Sequence, residues 1–235
     1  MSEVSSSAQS DSQSDRLVWD LPVRLVHWAL LLAVLGAWLT RELEGDWFAW
    51  HTRFGYAVAI LASWRVLWGF VGTRHARFAN FVRGPSAVLR YLRERIQPAG
   101  HNPLGAVGVV LMLGLLLAQA GTGLFANDQV FETGPLFGYV EVATSDRLTT
   151  IHKQVFDVLV VVIGVHVLAV FAHLFLQRDN LIRPMITGRK PSDRVPLGEQ
   201  IDGSRLWLAG VLLAGLVGTL AMIVTSAPEA SLFIF

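Results

Sequence analysis

Residues 151–175, IHKQVFDVLVVVIGVHVLAVFAHLF, decide the fold. The stretch is almost wholly apolar, with Lys153 and Asp157 near its start and His152, His166 and His173 spaced along it. A run of this length crosses a hydrocarbon core of about 30 Å as a helix. Backbone groups in lipid must be satisfied internally, which excludes an open strand. Four more stretches have the same character, at about 23–40, 54–71, 104–125 and 206–225, and the long apolar stretch itself is expected to end near residue 176. The chain of 235 residues is 53% hydrophobic and only 16% charged, which fits neither an ordinary soluble domain nor a disordered one. The expected fold is an all-α membrane protein: a four-helix transmembrane bundle with a fifth, C-terminal transmembrane helix.

Charge sets the expected orientation. With the N-terminus inside, the inner segments hold Arg16, Arg24, six arginines from Arg74 to Arg95, and six basic residues from Arg178 to Arg205. The outer segments hold only Arg41, Arg53, Arg147 and Lys153, together with acidic residues that include Glu42, Glu44, Asp46, Asp128, Glu132, Glu141 and Asp146. The N-terminus is therefore expected inside and the C-terminus outside. Residues 126–150 form the longest outer connection and a candidate docking surface. The Ser-rich residues 1–16 read as a disordered tail, lacking the basic start and apolar centre of a cleaved signal peptide. Residues 17–190 form the expected four-helix domain, and 191–235 an inner linker with the fifth helix. No internal repeat is visible.

The chain has no cysteine, which removes iron–sulfur clusters, disulfides and thioether-linked haem. Any redox cofactor must be held by other ligands, and the seven histidines are the candidates. His27 sits at the inner start of the first span, His51 and His152 at the outer starts of the second and fourth, and His166 deeper in the fourth. Fourteen residues separate His152 from His166, nearly four helical turns, so both project from one face about 21 Å apart along the axis. That is too far for one metal centre and suits two, one toward each membrane surface. Pairing by depth gives His51 with His152 outside and His27 with His166 inside. Each level thus offers two imidazoles from different helices, as an axially ligated haem iron requires. Two such ligands leave no open coordination position, which favours electron transfer over oxygen activation. Small residues leave room for a disc: Gly55, Ala59 and Ala62 on the second helix, and Gly105, Gly108, Gly114, Ala118 and Gly121 on the third.

Other polar residues have two readings each. Arg65, fourteen residues after His51, is either a haem propionate partner or an arginine snorkelling to headgroups. His173 is a proton carrier, a quinone hydrogen-bond donor or an interfacial histidine. Asp157 serves proton uptake at the outer side or pairs with Lys153 four residues earlier. His75 and His101 lie in the basic inner loop and are expected to be solvated. Trp19, Trp28, Trp47, Trp50 and Trp207 read as interfacial anchors. The basic loops fit anionic lipid rather than nucleic acid.

The runs VWDLPVRLVHW (18–28), WHTRFGYAVAILASWRVLWGFVG (50–72), ARFANFVRGP (76–85) and RDNLIRPMITG (178–188), with residues 151–175, resemble the bacterial cytochrome b-561 and nickel–iron hydrogenase cytochrome b-subunit family. The resemblance covers roughly residues 17–190. It implies a four-helix core in a bacterial inner membrane with two non-covalent haem b groups, on His27 with His166 and on His51 with His152. It also implies electron passage between a quinone pool and a partner such as a hydrogenase, another oxidoreductase or a c-type cytochrome. An alternative from the same resemblance is a self-contained superoxide:quinone oxidoreductase. The fifth span, which the shortest members of the family lack, is a departure.

Overall fold

The computed structural model describes residues 15–41, 46–94, 98–130 and 132–228. Most of the expected N-terminal tail, Glu42, Glu44, Arg95 and the last seven residues lie outside these. The elements run β1 (Arg16–Leu17), α1 (Leu21–Thr40), α2 (Asp46–Val71), α3 (Phe78–Phe81), α4 (Pro85–Glu94), α5 (Pro103–Gly123), α6 (Val142–Leu176), α7 (Ile182–Thr187), β2 (Arg189–Lys190) and α8 (Leu206–Thr225). Five of them, α1, α2, α5, α6 and α8, are long and apolar enough to cross a membrane. The protein is therefore an all-α membrane protein with a fifth helix beyond its four-helix core.

Helix starts follow local chemistry. Asp20 caps α1, its carboxylate accepting from Val23 N–H at 2.8 Å. Asn102 caps α5 by accepting from Gly105 N–H at 2.7 Å, with Pro103 in the first turn where no amide proton is needed. Two helices start earlier than hydropathy indicates. α2 begins at Asp46 and α6 at Val142, so His51 and His152 lie within their helices rather than at the starts. Hydropathy marks where lipid begins, whereas a helix continues into water as long as its backbone bonds are made. The stretch expected as an outer connection from 126 to 150 is accordingly helical from Val142 onward.

By its internal contacts the chain divides into two compact units. The first comprises the chain up to Leu25, Trp68–Val110 and His166–Leu206. Here β1 pairs antiparallel with β2, Arg16 opposite Lys190. Buried Asp20 accepts from the Trp68 indole at 3.1 Å and from the Thr73 hydroxyl. The segment after 190, expected as a linker, packs into this unit: Val195 is buried, Ile201 N–H donates to Leu17 O at 2.9 Å, and Leu21 N–H donates to Ser204 Oγ at 3.1 Å.

His75 and His101 are not solvated as expected. Their rings pack on Trp19, with centroids at 6.3 and 4.6 Å, and His101 also packs on Phe81 at 4.5 Å. Trp19 is consequently buried rather than an interfacial anchor, while Trp47, Trp50 and Trp207 are exposed. His75 Nε2–H donates to Glu199 O at 2.7 Å. Burial nevertheless holds its imidazole below the ordinary histidine value, against the opposing pull of that bond.

The second unit comprises Val26–Leu67, Leu111–Val165 and the chain from Trp207 on. Its core is Ala33, Val58, Ala62, Leu116, Ala120 and Leu159 from α1, α2, α5 and α6. Small residues set the close approach of helices: a Cβ on Gly36 would stand 2.6 Å from the Phe54 ring. α8 is held by the Trp64 indole donating to Ala209 O at 3.0 Å, and the Tyr139 hydroxyl donates to Ser226 O at 3.1 Å.

Candidate functional site

The second unit brings His51 and His152 together. Their ring centroids are 6.3 Å apart and their planes nearly perpendicular, at 82°. His51 comes from the second turn of α2 and stacks against Phe48 at 5.7 Å. His152 lies about three turns into α6. Each imidazole is fixed by a backbone carbonyl on a neighbouring helix. His51 Nδ1 is 2.9 Å from Ala37 O of α1, and His152 Nδ1 is 2.9 Å from Gln119 O of α5. A carbonyl only accepts, so each Nδ1 carries a proton, which leaves Nε2 as the nitrogen that can take a metal. This is the arrangement in which imidazole ligates a metal with its other nitrogen held by a hydrogen bond.

The spacing suits one metal between the rings. With metal–nitrogen bonds of about 2 Å, two opposed imidazoles have centroids about 6 Å apart. Gly55, one turn after His51, has nothing within 4 Å of where a Cβ would stand, and Gly114 and Gly121 of α5 are likewise open. The donor set is two imidazoles with Nδ1 held by carbonyls, in an apolar unit with open space beside them, which fits a haem held by two histidines.

Two contacts here were not read from the sequence. A Cβ on Gly123 would lie 2.8 Å from His152 Cε1 and 3.1 Å from Nδ1, so the glycine makes room for the ring. The Gln119 amide donates to His152 Nε2 at 3.0 Å. Gln119 stands out as a polar residue in an apolar run, but its partner does not, and nothing in the linear pattern marks Gly123, because both act through the crossing of α5 and α6.

The other expected site residues are spread over both units. His27, half-buried, meets the Trp28 ring edge-on at 5.2 Å and belongs to the second unit, whereas His166 belongs to the first. Arg65 is buried, at 7% exposure, which does not fit snorkelling to the surface. His173 closes a polar cluster in the first unit: its Nδ1 is 4.0 Å from Asp179, whose carboxylate pairs with Arg194 at 2.5 Å. Lys190 is buried near them, and its desolvation lowers the ammonium pKa against the opposing pull of Asp179. Asp157 and Lys153 are both exposed on α6. Lys153 borders a shallow depression with Asn127, Asp128, Gln129, Asp146, Thr149 and Thr150.

Comparison with known proteins gives the context for this geometry. Residues 18–188 match the family described as prokaryotic cytochrome b561. A probable Ni/Fe-hydrogenase B-type cytochrome subunit of Rhodobacter capsulatus is 27% identical over 212 residues, covering 74% of this chain and 80% of that protein. Proteins of the same description from Bradyrhizobium diazoefficiens and Azotobacter vinelandii are 25% and 31% identical, over 74% and 73% of this chain and 85% and 86% of theirs. No solved structure gives a significant match. With most of its length matched and five helices long and apolar enough to span a membrane, the chain belongs to the prokaryotic cytochrome b561 family, as a membrane electron-transfer cytochrome of b type.

Proposed function

We propose that this protein carries electrons across a bacterial inner membrane on two haem b groups, between the quinone pool and a partner redox protein. The observation that carries the reading is the His51–His152 pair, at 6.3 Å with both Nδ1 protons held by carbonyls. Haem, when bound, supplies a one-electron couple at its iron. The chain does the rest. His51 and His152 would hold one haem, and His27 and His166 the other. The carbonyls of Ala37 and Gln119 orient the ligand rings and hold a proton on each Nδ1. Buried Arg65 is the candidate cation for a propionate. One unbroken helix, α6, carries a ligand for each haem, which supports a route from one face to the other.

The distribution of Lys and Arg supports a cytoplasmic N-terminus and a periplasmic C-terminus. His173, beside Asp179, is the candidate quinone or proton group at the inner end, and Asp157 with Lys153 the candidate at the outer end. The relatives' description as hydrogenase cytochrome subunits supports a hydrogenase as the partner class, with a c-type cytochrome as the competing one.

Pyridine haemochrome analysis of the purified full-length protein tests the reading. The expected result is about two haem b per chain, falling to one in H51A and to one in H166A. Wild-type protein that takes up no haem, or variants that keep both, would sink it.

A further inference from the structure

From the contacts around His152 we infer that Gln119 is a positioning residue that caps the ligand nitrogen of His152 and is displaced when metal takes that nitrogen; this rests on the haem-ligand reading of His51 and His152. Gln119 engages both ring nitrogens of one histidine. Its backbone carbonyl accepts from Nδ1 at 2.9 Å, and its side-chain Nε2 donates to the histidine Nε2 at 3.0 Å. The first contact fixes where the proton is. With Nδ1 protonated, the Nε2 lone pair is the only acceptor the ring offers, and an amide N–H is a matching donor.

That lone pair serves one strong partner at a time. A metal bonded to Nε2 excludes the amide N–H from it, while the backbone contact at Nδ1 is untouched. The two halves of Gln119 therefore have separable effects. The carbonyl orients the ring in either condition, and the side chain opposes metal entry. The amide is otherwise lightly held, since Oε1 is buried with no hydrogen-bond partner among the described residues. Such a group leaves its seat at the loss of a single hydrogen bond. A polar side chain on α5, a helix otherwise built of Leu, Val, Ala, Gly and Met with one threonine after its first proline, is costly in lipid unless it serves a partner, and the partner here is His152. The cap also shields a preformed pair of imidazoles, with ring centroids 6.3 Å apart, from stray divalent ions.

The test uses the full-length chain in nanodiscs, prepared haem-free in an H166A background so that only the His51–His152 level loads. Haem uptake is followed by the Soret band in Q119M, which keeps the length of the side chain without its donor, and in Q119N, which keeps the amide but not the reach. Both variants are expected to take up haem about 2- to 10-fold faster than the Gln119 protein, the span given by one hydrogen bond of ordinary strength. Release rates are expected to be unchanged, because the side chain does not contact Nε2 once metal does. Zn²⁺ alone is expected to bind the haem-free variants about 2- to 10-fold more tightly, and H51A to abolish the difference. A residue that only stabilises the helix crossing would speed release and leave uptake and Zn²⁺ affinity alone, and that outcome overturns the assignment. Equal uptake constants in all three proteins overturn it as well. If the Gln119 protein in this background takes up no haem, the reading of the pair itself has failed, independently of Gln119.

Discussion

Replacing Gly123 by alanine adds one methyl group at the place where the structure has least room for it. The new Cβ would stand 2.8 Å from His152 Cε1 and 3.1 Å from Nδ1. Ordinary contact begins at 3.4 Å, so the ring must retreat by at least 0.6 Å, the difference between 3.4 and 2.8. The ring is not free to do so. Its Nδ1 proton is held by Gln119 O at 2.9 Å, and its Nε2 must stay within about 0.2 Å of ligating distance for a metal bond to persist. Overpacking of this size costs about 1–3 kcal/mol, and misplacing the support of a ligand lowers metal affinity about 10- to 100-fold. The alanine itself favours the helix by up to about 1 kcal/mol, so loss of helicity does not account for a loss of haem. Haem content by pyridine haemochrome is expected to fall toward one per chain in G123A, with the other haem spectrally normal. G210A, on α8, is the control: nothing lies within 4 Å of its new methyl group, and both haems are expected to remain. A G123A protein that keeps two haems with unshifted midpoint potentials would refute the reasoning about His152.

Three further outcomes follow from other contacts. R65Q removes a buried cation and is expected to lower one midpoint potential by about 60 mV or more, one charge-assisted contact on a one-electron couple, read by redox titration. W64F loses the indole N–H that holds Ala209 O of α8 at 3.0 Å, for about 1 kcal/mol, and should lower Tm by about 2–4 °C while leaving haem content at two. Because burial depresses the His75 pKa, the unfolded chain binds a proton more readily than the folded one. The stabilisation is thus present above the ordinary histidine value of about 6.5 and is lost as pH falls below it; the slope of Tm against pH below that value should flatten in H75Q.

The five spans were legible because lipid imposes one rule on every residue of a crossing helix, and residues 151–175 or 206–225 obey it without exception of consequence. The N-terminal limits of α2 and α6 were not legible, since 142–150 is polar enough for water yet still helical, and hydropathy does not report backbone bonding. His75 and His101 misled for a related reason. A basic loop reads as solvated, but packing on Trp19 depends on a fold that brings residues 19, 75 and 101 together. In the same way the segment after 190 reads as a polar linker and is in fact seated, with Ile201 bonded to Leu17 and Val195 buried.

The histidine pair shows where such legibility stops. His51 and His152 can be matched by depth from spacing alone, because a helix advances by a fixed rise. What would fit them as ligands is the state of their nitrogens, and this is set by main-chain carbonyls at Ala37 and Gln119. Any residue supplies a carbonyl, so the identity of position 37 carries no signal. It matters only that α1 and α5 pass at the right height and angle. Those heights are set by residues with no chemistry of their own: Gly36, which lets Phe54 approach, and Gly123, which lets the His152 ring stand against α5. The proton on each Nδ1, and with it which nitrogen is left to take a metal, is therefore a consequence of helix packing. A substitution that shifts a helix by about half an ångström at either glycine should change the ligand chemistry without touching a ligand.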